Sequence, residues 1–387
     1  MTLKGTNQEL SRPHNRRIVL EFIRARGSAS RNDIATHVGL TVQTVSTIVR
    51  ELEELGYLLA VREKPRGRGI PPQVMRLNPE GAFAIGIALT PVGVEAGLIN
   101  LAGDIVASAS RPVARPSPDE GFLLVGELVA EMRAKACGRR LLGVGMAIPG
   151  PFEVQAMSFV GPTTLEGWDD VPVRTRLHEV SGLPAFLASD TTAAALGTRL
   201  YGEAMGLRHF YYLHFGVGLG GTMVNDGQSA RGAHGNATEI GHIPIVPDGR
   251  PCPCGNRGCL EQYVSLDSFE RRPEGQTEAE WVAEVAPVFR NAVITIENLF
   301  DPQAIILGGM ASQTLLDCFA GLEPGLPVSV AARYDRKIPR LVASRDRQSV
   351  LRGAAALAVS GVLAPGQDLT LIADRAGYDP LADGVAA

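Results

Sequence analysis

Apolar positions along the chain follow helical spacing first and strand-and-helix alternation afterwards. The segment NRRIVLEFIRARG, Asn15 to Gly27, repeats Ile18, Val19, Phe22 and Ile23 at helical spacing and stops at a glycine. In SASRNDIATHVGLTVQTVSTIVRELEELGYL, Ser30 can cap a short helix through Val38 and Gly39 can turn the chain. Thr41 can then cap a longer helix running to Leu55, in which Val42, Val45, Ile48, Val49, Leu52 and Leu55 form a stripe predicted to face inward. Two strand-like runs follow in YLLAVREKPRGRGIPPQVMRLNP, on either side of Lys64-Pro65-Arg66-Gly67-Arg68-Gly69. From Ala84 the pattern becomes AIGIALTPVGVEAGLINLAGDIVASASRPV, buried-looking strands with a hairpin at Ala102-Gly103-Asp104. A helix from Asp119 to Cys137 leads to the strand LLGVGMAIPGP; Pro184–Ser189 reads as a strand and Thr192–Tyr201 as a helix. FYYLHFGVGLGGTMVNDG, Phe210 to Gly227, is a hairpin pair around a glycine-rich turn, and PQAIILGGM is a buried strand. Strands followed by glycine loops and helices, in two halves, predict an α/β body of two lobes with a cleft between them. The expected divisions are a head at 1–80, a first lobe at 81–190, a second lobe with a closing C-terminal helix at 191–363, and a tail at 364–387.

The head has the helix, glycine turn, helix order of a helix-turn-helix, whose second helix enters the DNA major groove. Opposite its apolar stripe stand Gln43, Thr44, Ser46, Thr47 and Arg50, short or forked hydrogen bonders. Arg31 and Thr41 flank them as further candidates for DNA contact. The two strand-like runs resemble the wing of a winged helix, with Arg66 and Arg68 at a cationic tip suited to phosphates or the minor groove. Charge agrees with this placement. Residues 1–80 hold 13 Lys and Arg against 8 Asp and Glu, while the remainder holds 24 against 33. A basic head on an acidic body suggests that the head meets a polyanion. The blander alternative is a helical protein-interaction module with a solvated basic hairpin. One winged helix buries too little for strong specificity, so the expected partner is a double-stranded inverted repeat bound by a homodimer or homotetramer.

At 387 residues, with 45% hydrophobic content and 44 glycines, the chain can form several sizeable cores with many tight turns. No stretch of eighteen apolar residues suggests membrane insertion, and the polar, basic N-terminus lacks the apolar core of a secretory signal; a cytoplasmic protein is expected. In that compartment clustered cysteines more often mean metal or catalysis than disulfides. Three of the five cysteines crowd into IGHIPIVPDGRPCPCGNRGCLE, Ile240 to Glu261. Cys252, Cys254 and Cys259 with His242 make a standard tetrahedral set for one structural zinc per chain. The alternative is a reduced thiol cluster with a chance histidine. Cys137 and Cys318 are expected to be core residues.

A winged helix followed by IPGP, GVGLGG, E-I-G-H, C-P-C-G-N-R-G-C-L-E and IILGG resembles the ROK family (repressors, open reading frames and sugar kinases), in its NagC/XylR-type repressor branch. The likeness runs from about residue 15 to about residue 363. It implies an actin-like, ribonuclease-H-like body in which zinc shapes one wall of a sugar pocket. It assigns sugar contacts to Asp190, Glu239, His242 and Glu261, with Thr164 and Ser189 at positions where asparagine is common; Asp190 could also cap the helix behind it. Thr238 replaces a glycine before Glu239. Kinases of the family carry a D-x-G-G-T turn after the first strand. Here Ala88 stands in place of the aspartate and Thr90-Pro91-Val92 replaces the glycines, blocking close backbone approach to phosphate. The resemblance therefore implies a sugar-responsive DNA-binding regulator without catalysis. The alternatives are an ATP-dependent sugar kinase, a bifunctional kinase-repressor, or a repressor whose effector is another protein.

Overall fold

The computed structural model describes residues 8–62, 73–150, 165–168, 171–230, 232, 237–331 and 336–363, with side chains from residue 14 onward. Arg66 and Arg68 of the wing tip, Thr164, and the tail at 364–387 lie outside the described residues.

The head is built from α1 (Gln8–Arg26), α2 (Arg31–Val38), α3 (Val42–Glu54), β1 (Leu58–Arg62) and β2 (Gln73–Leu77). Ser30 and Asp33 form a reciprocal capping box on α2, and Gly39 closes it at φ 69°. Thr41 caps α3 by accepting from the Thr44 N–H. Val45, Ile48, Val49 and Leu52 are buried together with Val19, Ile23 and Ile34. Val42 departs from the expected stripe: it is 47% exposed at the first helical position. At N1 a side chain lies over the turn before the helix, beyond the reach of the core. β1 and β2 pair antiparallel from Leu58↔Leu77 to Arg62↔Gln73, as a wing requires.

The segment 77–81 is a fixed joint. Asn78 donates from Nδ2 to the Gly56 carbonyl at 2.8 Å and from its N–H to the Tyr57 carbonyl at 2.9 Å. A Cβ on Gly81 would run into the Gly56 carbonyl, so the chain enters the body by close backbone packing.

The first lobe has β3 (Phe83–Thr90), β4 (Gly93–Asn100), β5 (Ile105–Pro112), α4 (Pro118–Ala136), β6 (Leu141–Ile148), α5 (Val173–Ser181) and β7 (Ala185–Ser189). Its sheet runs β5-β4-β3-β6-β7. α6 (Asp190–Tyr201) follows, then β8 (His209–Phe215), β9 (Leu219–Asn225), β10 (Gln228–Ser229), α7 (Leu266–Glu270), α8 (Glu278–Phe300), β11 (Ile305–Gly309), α9 (Gln313–Ala320), β12 (Leu341–Ala343) and α10 (Ser349–Leu363). The second sheet runs β10-β9-β8-β11-β12. α4 and α5 cover one face of the first sheet, and α8 and α9 cover one face of the second.

α6 and α10 cross where the two sheets meet. A Cβ on Gly197 would strike the Ser349 carbonyl, and one on Gly353 would strike the Ala193 carbonyl. Gly86 and Gly145 admit the α10 backbone onto β3 and β6 in the same way. α10 packs along α6 and on β3, β4, β6 and β7 of the first sheet. Cys137, expected in the core, is exposed as the C-cap of α4 at φ 51°. Among the described residues no helix is long and apolar enough to cross a membrane.

Candidate ligand cleft and nucleic-acid interface

The cysteine loop folds back on itself through its glycines. Ile245 and Val246 both donate to the Gly258 carbonyl, and Gly258, at φ 77°, has no room for a Cβ beside the Val246 carbonyl. Cys252 donates from its N–H to the Asn256 carbonyl. These bonds gather His242, Cys252, Cys254 and Cys259 so that one ligand atom from each lies within 4.8 Å of the others. Cys254 Sγ is 3.6 Å from Cys259 Sγ, and Cys252 Sγ is 3.7 Å from His242 Nδ1. A tetrahedral zinc with Zn–S bonds of about 2.3 Å separates its sulfurs by about 3.8 Å, so the donor set fits that ion. Its electrostatics fit too. Burial opposes the Cys254 thiolate, but the Asn256 N–H and the neighbouring sulfurs outweigh it and lower its pKa to about 7. Burial and neighbouring negative charge push Cys259 up to about 11 and Cys252 higher still. Three adjacent thiolates repel one another, and a divalent cation relieves that repulsion.

Beside this loop stand the acidic residues singled out from the sequence. Asp190 is the first residue of α6, and its Oδ1 accepts from the Thr191 N–H at 2.7 Å. The cap role belongs to Ser189, whose Oγ accepts from the Thr192 N–H at 3.2 Å, so Asp190 is not the N-cap. The glycine turn between β8 and β9 brings the parts together: Gly220 lies against the Thr191 side chain and Gly218 against Glu261. Gly241 packs onto the Leu219 carbonyl, which seats the turn carrying Glu239 and His242. Glu261 Oε1 reaches Cys252 Sγ at 3.2 Å and His242 Nδ1 at 3.5 Å. Glu239 is exposed rather than packed in the core. Enclosure by the surrounding walls still raises its carboxyl above the usual carboxylate range; His242 opposes this, while Asp190 and Glu261 add to it. Asp190, Glu239, His242 and Glu261 therefore share one site. Thr238 takes φ 70°, a glycine-like angle, with its hydroxyl on the Gly221 carbonyl and its own carbonyl accepting from Tyr211.

His214 on β8 was not singled out from the sequence. It is buried, its Nε2 lies 3.9 Å from Asp190 Oδ2, and its Nδ1 has no hydrogen-bond partner among the described residues. Within FYYLHF it reads as one more strand residue; only the sheet register places it under the cleft.

The turn after β3 is closed by its own side chains. Thr90 Oγ1 donates to the Gly93 carbonyl at 3.1 Å and accepts from the Val92 N–H at 3.3 Å. Ala88 sits opposite Glu95 on β4. Burial raises the Glu95 carboxyl, partly offset by a hydrogen bond from Gln348.

On the head, Gln43, Thr44, Thr47 and Arg50 are exposed on α3, and Ser46 is half-buried. Ser46 and Thr47 donate back to the Val42 and Gln43 carbonyls. Thr41 and Thr44 share a 2.8 Å hydroxyl contact at the cap. Arg31 bridges Gln73 of β2 and Glu53 of α3, so it braces the wing against the helix. Exposed Val42, beside Gln43, joins this face.

Comparison with known proteins matches a sequence model described as the ROK family to residues 84–360, and one described as a winged helix-turn-helix DNA-binding domain to residues 12–58. The chain is 28% identical over 344 residues to the xylose repressor of Caldicellulosiruptor bescii, covering 79% of this chain and 85% of that protein. It is 30% identical over 183 residues to the glucokinase of Streptomyces coelicolor, covering 47% of this chain and 56% of that one. Among solved structures, a ROK family transcriptional regulator described as a homolog of the E. coli MLC protein superposes with a TM-score of 0.70 at 23% identity. It covers 90% of this chain and 96% of its own. The ROK family glucokinase from Streptomyces griseus superposes with a TM-score of 0.58 at 24% identity, over 72% of this chain and all of its own.

Proposed function

The chain belongs to the ROK family, and from that premise we propose that it is a transcriptional repressor whose hold on DNA responds to a sugar. One observation carries the reading: a helix-turn-helix with an open polar face is fixed to a cleft in which Asp190, Glu239, His242 and Glu261 converge. Carboxylates and an imidazole match the donors and acceptors of a polyol. The relatives named xylose repressor make an aldose the first ligand to try. The head would read one half of an inverted repeat, and two or four chains would read the whole.

His242, Cys252, Cys254 and Cys259 would hold one zinc. With four protein ligands the ion supplies structure, fixing the loop and the direction of the His242 ring, rather than activating water. Thr90 and Pro91 in the turn after β3, and Ala88 in place of an acid, support a protein without phosphoryl transfer, which depends on positioned phosphates and metal. The compartment would be the cytoplasm, where the reduced thiols can keep their ion.

The test uses the full-length protein and a duplex it selects from a random library. The expected result is tight binding to the selected duplex, release by D-xylose, D-glucose or N-acetylglucosamine, and no heat of binding with magnesium-ATP. Sugar phosphorylation with ATP would overturn the non-catalytic reading; failure to select any duplex would overturn the repressor.

A further inference from the structure

α6 connects the ligand cleft to the DNA-binding head in a single rod. Its first residue is Asp190, and its last turns carry Arg199 and Tyr201. Twelve helical residues span about 18 Å. At the far end the Arg199 guanidinium reaches Glu21 of α1, with Nη2 3.4 Å from Oε1 and Nη1 3.5 Å from Oε2. Arg17 Nε joins the same carboxylate at 3.3 Å. Arg24 of α1 lies over the Tyr201 ring, 5.3 Å from its centroid. Burial works against the Glu21 charge, yet Arg199, Arg17 and Arg24 together lower its pKa below the usual range.

Two further contacts extend this junction in both directions. On one side, Gly227 in the turn between β9 and β10 lies beside the Arg199 guanidinium: a Cβ added there would sit 3.3 Å from Nη1. Arg199 is thus shared by the second lobe and the head. On the other side, α1 is tied to the recognition helix, since Arg16 donates from Nη2 at 2.8 Å and Nε at 3.1 Å to Glu51 of α3. Both partners are largely buried, with side chains 14% and 18% exposed, so this tie is stiff. The apolar core continues across the same seam, from Val19, Phe22 and Ile23 through Leu196 and Leu200 to Val359 and Val362 of α10.

We propose that Arg199 is the coupling residue between cleft and DNA: lobe closure on a ligand shifts α6 and the β9–β10 turn, and Arg199 passes that shift through Glu21 to α1 and, by Arg16–Glu51, to the recognition helix. The inference rests on the repressor reading and names the route of its regulation. A ligand changes DNA affinity only through an element whose position both sites bias. Among the described residues Arg199 is held by Glu21 and lies at the opposite end of α6 from Asp190, so its removal should cut the coupling and leave ligand binding in place.

The experiment measures operator affinity with and without D-xylose, D-glucose or N-acetylglucosamine, in zinc-loaded full-length chains, on the duplex selected by the wild type. Wild type is expected to lose roughly 5–150-fold in affinity with the effective sugar, the usual range of such coupling. Arg199→Met and Glu21→Gln should each reduce that ratio to under about threefold, with Arg199→Lys retaining part of it. In all three variants the sugar-dependent rise in melting temperature should match wild type, which reports an intact cleft. A wild-type ratio in Arg199→Met or, if that variant does not fold, in Glu21→Gln overturns this inference alone. A wild type that selects no duplex, or ignores all three sugars, overturns the repressor reading and this inference with it.

Discussion

Val42 shows what one side chain at a helix start can do. It is the first helical residue of α3, nearly half exposed, and adjacent to Gln43 on the face open to DNA. An apolar group there suits the methyl of a thymine, next to an amide that can pair with adenine. Val42→Ala removes two methylene equivalents of apolar contact, about 1.5 kcal/mol, or roughly tenfold in affinity. That loss should appear on the selected duplex and be absent on random DNA in a filter-binding or gel-shift titration; equal loss on both would place Val42 outside base reading. The cysteine loop makes a second residue-scale prediction. Cys254, with the thiol nearest to ionisation at neutral pH, is the natural first ligand for zinc. Elemental analysis should find about one zinc per wild-type chain. Cys254→Ala should lose it and melt at a lower temperature, because the folding energy of such a loop is metal-binding energy. Freshly purified wild type without zinc would sink this assignment.

At the scale of elements, two helical glycines behave oppositely. Gly353 lies where α10 crosses α6, and a Cβ there meets the Ala193 carbonyl, which is backbone and cannot swing away. Alanine gains about 1 kcal/mol of helix propensity over glycine, but overpacking against an immovable neighbour typically costs 1–3 kcal/mol or more. Gly353→Ala should therefore lower the denaturation midpoint. Gly126 on α4 has open space around its Cβ position among the described residues, so Gly126→Ala should add up to about 1 kcal/mol of stability and raise the midpoint. The reverse order in urea titrations would contradict the packing. These helices also mark how far the sequence could be read. The ends of α2, α3, β3 and β7 follow from Ser30, Gly39, Thr41 and the strand-like apolar runs, because caps and periodicity act locally. The gathering of His242, Cys252, Cys254 and Cys259 was legible for the same reason, the four residues being close in the chain. The partner of α10 was not. Its GAAALAVSG core is small and apolar on every side, which announces burial but not which sheet receives it. Cys137 and Val42 are apolar in type yet exposed, a direction that residue type does not carry, and His214 gives no local signal because its neighbour Asp190 is distant in sequence.

For the whole molecule, the open question is which arrangement of lobes and head grips DNA. A single winged helix gives modest specificity, so two chains should engage half-sites whose centres lie about 34–36 Å apart or a multiple of that, matching their two-fold axis. The duplex selected by the full-length protein should accordingly be an inverted repeat; a half-site alone, bound as tightly, would argue for an independent head. The cleft then decides the sign of regulation. Asp190 is half-buried at the start of α6, its Oδ1 already held by the Thr191 N–H, and it faces His214 and the zinc loop from the α6 side. Asp190→Ala removes the carboxylate proposed to meet the ligand and a favourable charge at a helix N-terminus, the latter about 0.3–1 kcal/mol, which a domain of this size tolerates. Ser189 keeps the cap, so α6 and its far end at Arg199 stay in place. The variant should bind the selected duplex as wild type does and ignore the effective sugar, with no sugar-dependent rise in melting temperature. If it instead lost the duplex while folded and zinc-loaded, an occupied cleft would belong to the DNA-bound state. The small molecule would then be a corepressor, and the lobe arrangement stabilised by ligand would be the one that grips DNA rather than the one that releases it.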